Sequence, residues 1–333
     1  MVMGGGAPSK SRGRYRGNQA PGIGTSRPWA GERDRRANGY DDGMHARAEP
    51  RPFAGLTMLA AFVFLSQACQ GPPTGTIEVL NWNTYHFFDH RANLDEAKSW
   101  IVEEGPDLVA LQEVLHCDEP GLADLALEWG HEHAVMHKEK GYPVALSSSA
   151  PIEVLERRVE GLHHGFLHAR THGIDVFVVH FWPTKPAEAV AVAELAKAVV
   201  EVGRPVLVLG DFNGKIRFDE PYLREHGFGE EEDGELVFDY RITDAFLDRG
   251  FVELVSEHSP DDLYTFGSPA LIPRWAETMA DVEARRRRID FVFASPDLAE
   301  GCRSARVDVD DARVGLYSDH YPILCTLERE ASR

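Results

Sequence analysis

Asp211 and Asn213 close the apolar run VLVLGDFN, and five other apolar runs begin or end on residues of the same kind. TIEVLNWNT delivers Asn81 and Asn83, DLVALQEV delivers Gln112 and Glu113, and IDVFVVHF ends at His180. RIDFVFA carries Asp290 near its start, and YSDHYPI sets Asp319 and His320 ahead of the last run. One Asp or Asn at a strand end is most often a turn former or a helix cap. Six runs that all present acids, amides or imidazoles point instead to a shared site, because binding and catalysis concentrate in the loops over a rigid sheet.

The residue types narrow the chemistry. Carboxylate and amide oxygens suit a hard divalent cation, Mg²⁺ first and Mn²⁺ as its substitute, which takes one or two carboxylates plus phosphate oxygens. Such an ion neutralises a phosphoryl group as a Lewis acid. Two histidines can donate to developing negative charge or move protons near neutral pH, and an Asp beside a His orients the ring and favours its charged form. No Ser or Cys has an obvious activating partner, so direct attack by water is the expected mechanism.

These residues need strands to carry them. The β-like runs alternate with segments whose apolar residues recur at three- and four-residue spacing, such as LDEAKSWIVEE and LADLALEWG. The clearest helix is PAEAVAVAELAKAVVEV, opened by Pro186 and stopped at Gly203. Strands alternating with helices predict an α/β domain over residues 75–329, and runs such as VLVL predict strands buried on both faces. The polar stretch from Gly214 to Tyr240, with EEED in its middle, reads as an exposed loop or lid.

The chain carries a net charge of -19 that is unevenly spread. The first 68 residues hold 10 of the 35 Lys and Arg but only 5 of the 54 Asp and Glu, which leaves -24 for the rest. Tight binding to duplex nucleic acid is therefore disfavoured, since that affinity comes from Lys and Arg displacing counterions from phosphates. Residues 1–52, rich in Gly, Pro, Arg and Ser, read as a disordered leader, and a start at Met44 would remove most of it. Residues 53–69 combine an apolar run with a small-residue end, the order of a secretory signal, too short for a spanning helix.

LSQAC is similar to the lipobox of bacterial lipoproteins, which would make Cys69 the lipidated residue of an exported or cell-envelope protein touching membrane only through that anchor. Of the other cysteines, Cys325 sits in an apolar run, so Cys117 with Cys302 is the pair export would allow. The chain is expected to act as a monomer on a phosphoester substrate.

The ordered motifs NWN, LQE, HF, GDFN, RIDFVF and SDH resemble the endonuclease/exonuclease/phosphatase superfamily over roughly Thr76 to Leu327. That resemblance implies the deoxyribonuclease I-like fold, a four-layer sandwich of two packed mixed sheets flanked by helices. It also implies Asn83 and Glu113 as metal-site residues, Glu113 the principal ligand, with Asp319 touching a metal or its waters. Asp211 would orient or deprotonate the attacking water, and Asn213 would hold the phosphate or the water. His320, oriented by Asp290, would be the general acid/base or phosphate donor, and His180 would bind the scissile phosphate. Asn81 is expected to be structural.

Two features lie outside that pattern. EGLHHGFLHARTHG clusters His163, His164, His168 and His172, and strand alternation puts His164 and His168 on one face, with His164 a substrate-cleft candidate. The run Arg285 to Arg288 could supply a phosphate-facing cation, with Arg288 the candidate. The superfamily's substrates span nucleic acids, phospholipids, phosphoinositides and small phosphate esters. The function read here is a metal-dependent phosphodiesterase or phosphatase, its alternatives being an exported nuclease and, last, a non-catalytic binding module on this fold.

Overall fold

The computed structural model describes residues 75–328. The expected leader, signal segment and Cys69 lie outside the described residues. Fourteen strands are present among them: β1 (Thr76–Asn83), β2 (Leu108–Gln112), β3 (His133–Met136), β4 (Val144–Ser148), β5 (Glu153–Arg158), β6 (Phe166–Thr171) and β7 (Ile174–His180). They continue with β8 (Val206–Asp211), β9 (Glu230–Glu232), β10 (Glu235–Val237), β11 (Val252–Glu253), β12 (Asp290–Ala294), β13 (Cys302–Val307) and β14 (Ile323–Glu328).

Twelve of these build two six-stranded sheets, one ordered β13-β14-β1-β2-β4-β3 and the other β11-β12-β8-β7-β6-β5. Each sheet is mixed: β1 with β2, and β7 with β8, run parallel, and their neighbours are antiparallel. The parallel pairs need crossovers, which the helices Leu94–Glu104 and Pro186–Glu201 supply.

Alternation along β7 shows how the layers close. Val176 and Val178 join Leu207, Leu209 and Val292 in the core that also holds the first sheet. Phe177 and Val179 face the other way, with Val208, Phe291 and Phe293, against Ala189, Val192 and Ala196 of the Pro186–Glu201 helix and Phe246 of the helix Arg241–Leu247. Every residue of β7 and β8 is buried, as apolar runs sandwiched between a sheet and helices must be. The fold is thus the expected four-layer sandwich of the deoxyribonuclease I-like type.

Three expectations need correction. Gly214 to Tyr240 is more than a loop: it holds a short helix, Glu220–Glu225, and the hairpin β9–β10, closed by a two-residue turn at Asp233-Gly234 in which both residues have positive φ. Cys117 and Cys302 do not pair; all three described cysteines are free, the two thiols spending themselves on the carbonyls of Asp118 and Ser304. His164 precedes β6 rather than sharing a strand face with His168, which bonds Asp175 at 2.8 Å and stacks on Phe177.

After β1 the chain makes an unexpected turn. From Tyr85 to Arg91 every φ lies between +44° and +72°, a left-handed coil built without a glycine. Each such L-residue costs about 1–2 kcal/mol relative to the right-handed form. Burial opposes that cost: Phe87 and Phe88 are wholly enclosed, Phe88 meeting Trp82 edge-on at 5.0 Å.

Gly210, one residue before Asp211, has φ +149°, and a Cβ there would sit 1.9 Å from the Val179 carbonyl oxygen of the neighbouring strand. Gly210→Ala is expected to cost on the order of 3 kcal/mol, the upper range for local backbone strain, read as a lower midpoint in urea unfolding. An unchanged midpoint would refute this account of the close approach.

Candidate active site

Strand register assembles the site. In the second sheet Asp290 of β12 sits opposite Asp211 of β8, which in turn sits opposite His180 of β7. In the first sheet Asn83 of β1 sits opposite Gln112 of β2, so Glu113 follows at the same edge. Asp319 and His320 arrive just before β14, which pairs antiparallel with β1. The polar ends of strands from both sheets therefore meet at one edge of the sandwich.

Asn83 joins the two sheets. Its Nδ2 donates to Asp211 Oδ2 at 3.0 Å and to Glu113 Oε1 at 3.4 Å, and its Oδ1 accepts from the Tyr85 N–H at 3.1 Å. Asn83 is thus placed to position two carboxylates, with its amide oxygen engaged by backbone. Glu113 has φ +60°, a strained setting for a non-glycine residue that recurs at functional sites. Its Oε2 accepts from the His86 N–H at 3.1 Å, a second contact from the left-handed turn after that of Tyr85.

His320 and Asp290 form a tight pair, Nδ1 to Oδ2 at 2.7 Å, and Thr265 Oγ1 donates to the same carboxylate oxygen at 2.6 Å. Burial works against charge on His320, yet Asp290 and Asp319 hold its imidazolium up to about 10. With Nδ1–H committed to Asp290, Nε2–H is the donor left for a ligand. Asp319 approaches that nitrogen at 3.8 Å. Burial pushes the Asp319 carboxyl up to about 7 and raises Asp211 well above the usual carboxylate range, with Asp290 adding to the latter.

His180 lies 3.4 Å from Asp211, and burial followed by the neighbouring His164 drives its pKa well below the usual range. Its Nδ1 is buried without a partner, a polar atom that a substrate oxygen could satisfy. His164 stacks on His180 at 4.3 Å, and burial holds it neutral, at about 3. Lys138 Nζ and His137 Nε2 both meet the His164 carbonyl and fix it there. Asn213, with φ +47°, donates its backbone N–H to Asp211 Oδ1 at 2.8 Å and its Nδ2 to the Phe181 carbonyl at 3.1 Å. Asn81, buried in β1, accepts from Gln112 Nε2 at 2.9 Å.

Arg288 is the residue the structure removes from the cleft. It is 1% exposed, donating to Asp219 at 2.9 Å, Glu253 at 3.4 Å and Ser256 at 2.9 Å. A guanidinium taken out of water needs such carboxylates, and Arg288 has found two. Tyr142, not singled out in the sequence, stands over the site instead, edge-on to His164 at 5.2 Å and to His180 at 6.2 Å. Its place just ahead of β4 was the available signal, since the other site residues also flank strands.

The donor set fits a divalent ion. Asp211, Asp290 and His320 bring ligand atoms within 4.8 Å of one another, and Asp290 Oδ1 is buried without a partner. Since His320 is an imidazolium held by Asp290, the oxygens of Glu113, Asp211 and Asp319 are the better donors. Two carboxyls pushed upward by burial mark an excess of negative charge that a cation would relieve.

Two stacked mixed sheets with acids and imidazoles gathered on one shared edge define a deoxyribonuclease I-like protein. The chain belongs to the Endonuclease/Exonuclease/phosphatase family, whose model matches residues 80–320. Among solved structures it is similar to an AP endonuclease from Archaeoglobus fulgidus, at 21% identity and TM-score 0.55, covering 75% of this chain and 99% of that one. It is similar also to the 3'-5' exonuclease NExo from Neisseria meningitidis, at 18% identity and TM-score 0.57, covering 75% and 98%. A third is the 3' phosphatase NExo from Neisseria bound to product DNA hairpin, at 18% and 0.57, covering 77% and 100%. A comparison with curated proteins finds no match.

The raised carboxyls give a test. For an acid whose folded pKa exceeds its unfolded one, stability is full below the unfolded value and is lost as pH rises through the folded value. Without metal, the wild-type melting temperature is expected to fall relative to that of Asp319→Asn as pH rises from about 4, the unfolded Asp value, to the Asp319 value of about 7, because the low-lying His164 and His180, which favour the fold as pH rises, act alike in both proteins. Mg²⁺ should then raise it more at pH 8 than at pH 5, and an equal Mg²⁺ effect at both would count against ion binding by these groups.

Proposed function

We propose that this protein is a Mg²⁺-dependent phosphoester hydrolase, a phosphodiesterase or phosphatase that uses an activated water. Family membership supports phosphoester hydrolysis. The observation that carries the reading is the convergence of Asp211, the Asp290–His320 pair and the Asn83-bridged Glu113 on one edge.

Glu113 and Asp319 would hold the ion, which when bound supplies Lewis-acid neutralisation of the phosphate. Asp211, oriented by the Asn83 amide and the Asn213 N–H, takes the proton of the attacking water on a carboxylate oxygen as the water oxygen bonds to phosphorus and the ester P–O bond breaks, the leaving oxygen taking up a proton from solvent. His320 donates Nε2–H to the phosphate, its charge held by Asp290 throughout. The free Nδ1 of His180 faces a second phosphate oxygen, and Asn213 fixes Asp211 through its backbone N–H.

A nuclease is the second reading, favoured by the endonuclease, exonuclease and 3' phosphatase named among the similar structures. Export with lipidation at Cys69 is a further part of the proposal. The intact mass of the mature chain tests it, and an unmodified chain that begins at Met1 would refute it.

Hydrolysis of bis-p-nitrophenyl phosphate, p-nitrophenyl phosphate, plasmid DNA and sphingomyelin, each with Mg²⁺ or EDTA, tests the chemistry. EDTA should abolish turnover, and Asp211→Asn or His320→Gln should each lower kcat by roughly 10²–10⁴-fold, the range for a lost proton-transfer group. Undiminished activity in either variant would remove the mechanism. No turnover of any phosphoester would favour a binding module on this fold.

A further inference from the structure

Four consecutive arginines precede β12, and the structure assigns them different surroundings. Arg286 is paired with Asp311 and Arg288 with Asp219 and Glu253, while Arg285 is exposed. Arg287 makes no ion pair among the described residues. Its guanidinium lies over the Phe266 ring at 4.7 Å and the Phe228 ring at 5.6 Å, and its one hydrogen bond, from Nη1, goes to the Arg285 carbonyl at 2.9 Å.

Phe266 ties that guanidinium to the reaction centre. Its backbone bridges both Arg287 and His320, and its ring meets the His320 imidazole edge-on at 5.1 Å. Arg287 and Asp211 attract one another electrostatically, whereas Glu113 lies across the site beyond Asn83. The cation therefore stands at the His320 end, opposite the carboxylate expected to lead metal binding.

A guanidinium has five N–H donors in a planar fork suited to phosphate. Arg287 spends one of them, and a cation–π contact at a partly exposed site is worth only about 0.5–1 kcal/mol. The acidity of the chain makes an uncompensated arginine beside the site notable: a carboxylate was available to each flanking arginine and none meets this one.

We propose that Arg287 is an anion subsite at the His320 end of the cleft, and that the substrate carries a second phosphate next to the scissile one. The proposal rests on the hydrolase reading above and deepens it. At physiological salt, charges beyond about 8 Å are largely screened, so the distant acidic surface acts only weakly on Arg287.

Calorimetric titration of the full chain in excess Mg²⁺ with propylphosphonate and propane-1,3-diphosphonate, neither hydrolysable, tests it. The wild type should bind the diphosphonate about tenfold more tightly, a difference of about 1.4 kcal/mol. Arg287→Ala should remove that preference, Arg287→Lys should retain part of it, and Arg285→Ala, the exposed neighbour, should retain all of it. Equal binding of the two ligands by the wild type, or a preference lost equally in Arg285→Ala, would overturn the subsite.

Turnover of bis-p-nitrophenyl phosphate, measured in parallel, separates the two claims. Turnover without the preference sinks the subsite alone, and the preference without turnover sinks the hydrolase reading. Thymidine 3',5'-bisphosphate and inositol trisphosphate as competitors distinguish a nucleotide source of the second phosphate from a polyol source; whichever displaces the diphosphonate supports the subsite, and displacement by neither counts against it.

Discussion

The hydrogen bond from Asn83 to Asp211 runs from the end of a strand in one sheet to the end of a strand in the other. Two sheets packed face to face are held mainly by apolar contact, which is strong but weakly directional. A side-chain amide donating to a buried carboxylate fixes relative position far more narrowly. The same amide reaches Glu113, so the two acids from opposite sheets keep their separation only while Asn83 stays between them. Around that bridge, Asp290 and Thr265 set His320, and the Asn213 backbone sets Asp211.

Such an edge is electrostatically costly. Asp211, Asp290 and Asp319 are all removed from water, and only His320 brings an opposing full charge into contact with two of them. The sandwich can bear this because the strands beneath are rigid and buried on both faces, leaving the side chains little freedom to retreat into solvent. A folded domain that gives up stability to hold acids together marks that edge as a functional site and not as packing.

Much of this was legible in the sequence. A strand that is buried on both faces reads as a continuous apolar run, so the residue that interrupts the run marks the sheet edge; Asp211, His180, Asn83, Glu113 and Asp290 were all found that way. What pattern could not supply was direction within a uniform run. Four arginines look alike in sequence, and only the tertiary placement of Asp311, Asp219 and Glu253 decides which of them are neutralised. Tyr142 was missed because, at the head of the β-like run YPVALS, it brings neither a carboxylate, an amide nor an imidazole to the strand end. The His164 strand was drawn too long because Gly165, at φ +88°, separates it from β6.

The left-handed coil after β1 has a bearing on how this scaffold can change. Its backbone is unfavourable at each step, so its shape is borrowed from the seat that encloses Phe87 and Phe88 beside Trp82. A substitution that loosens that seat would let the coil relax toward ordinary angles and carry the His86 amide away from Glu113. Mutational drift in an apolar pocket would then surface as a displaced Glu113, and transplanting the NWN–LQE pair into another sandwich would require moving the aromatic seat with it.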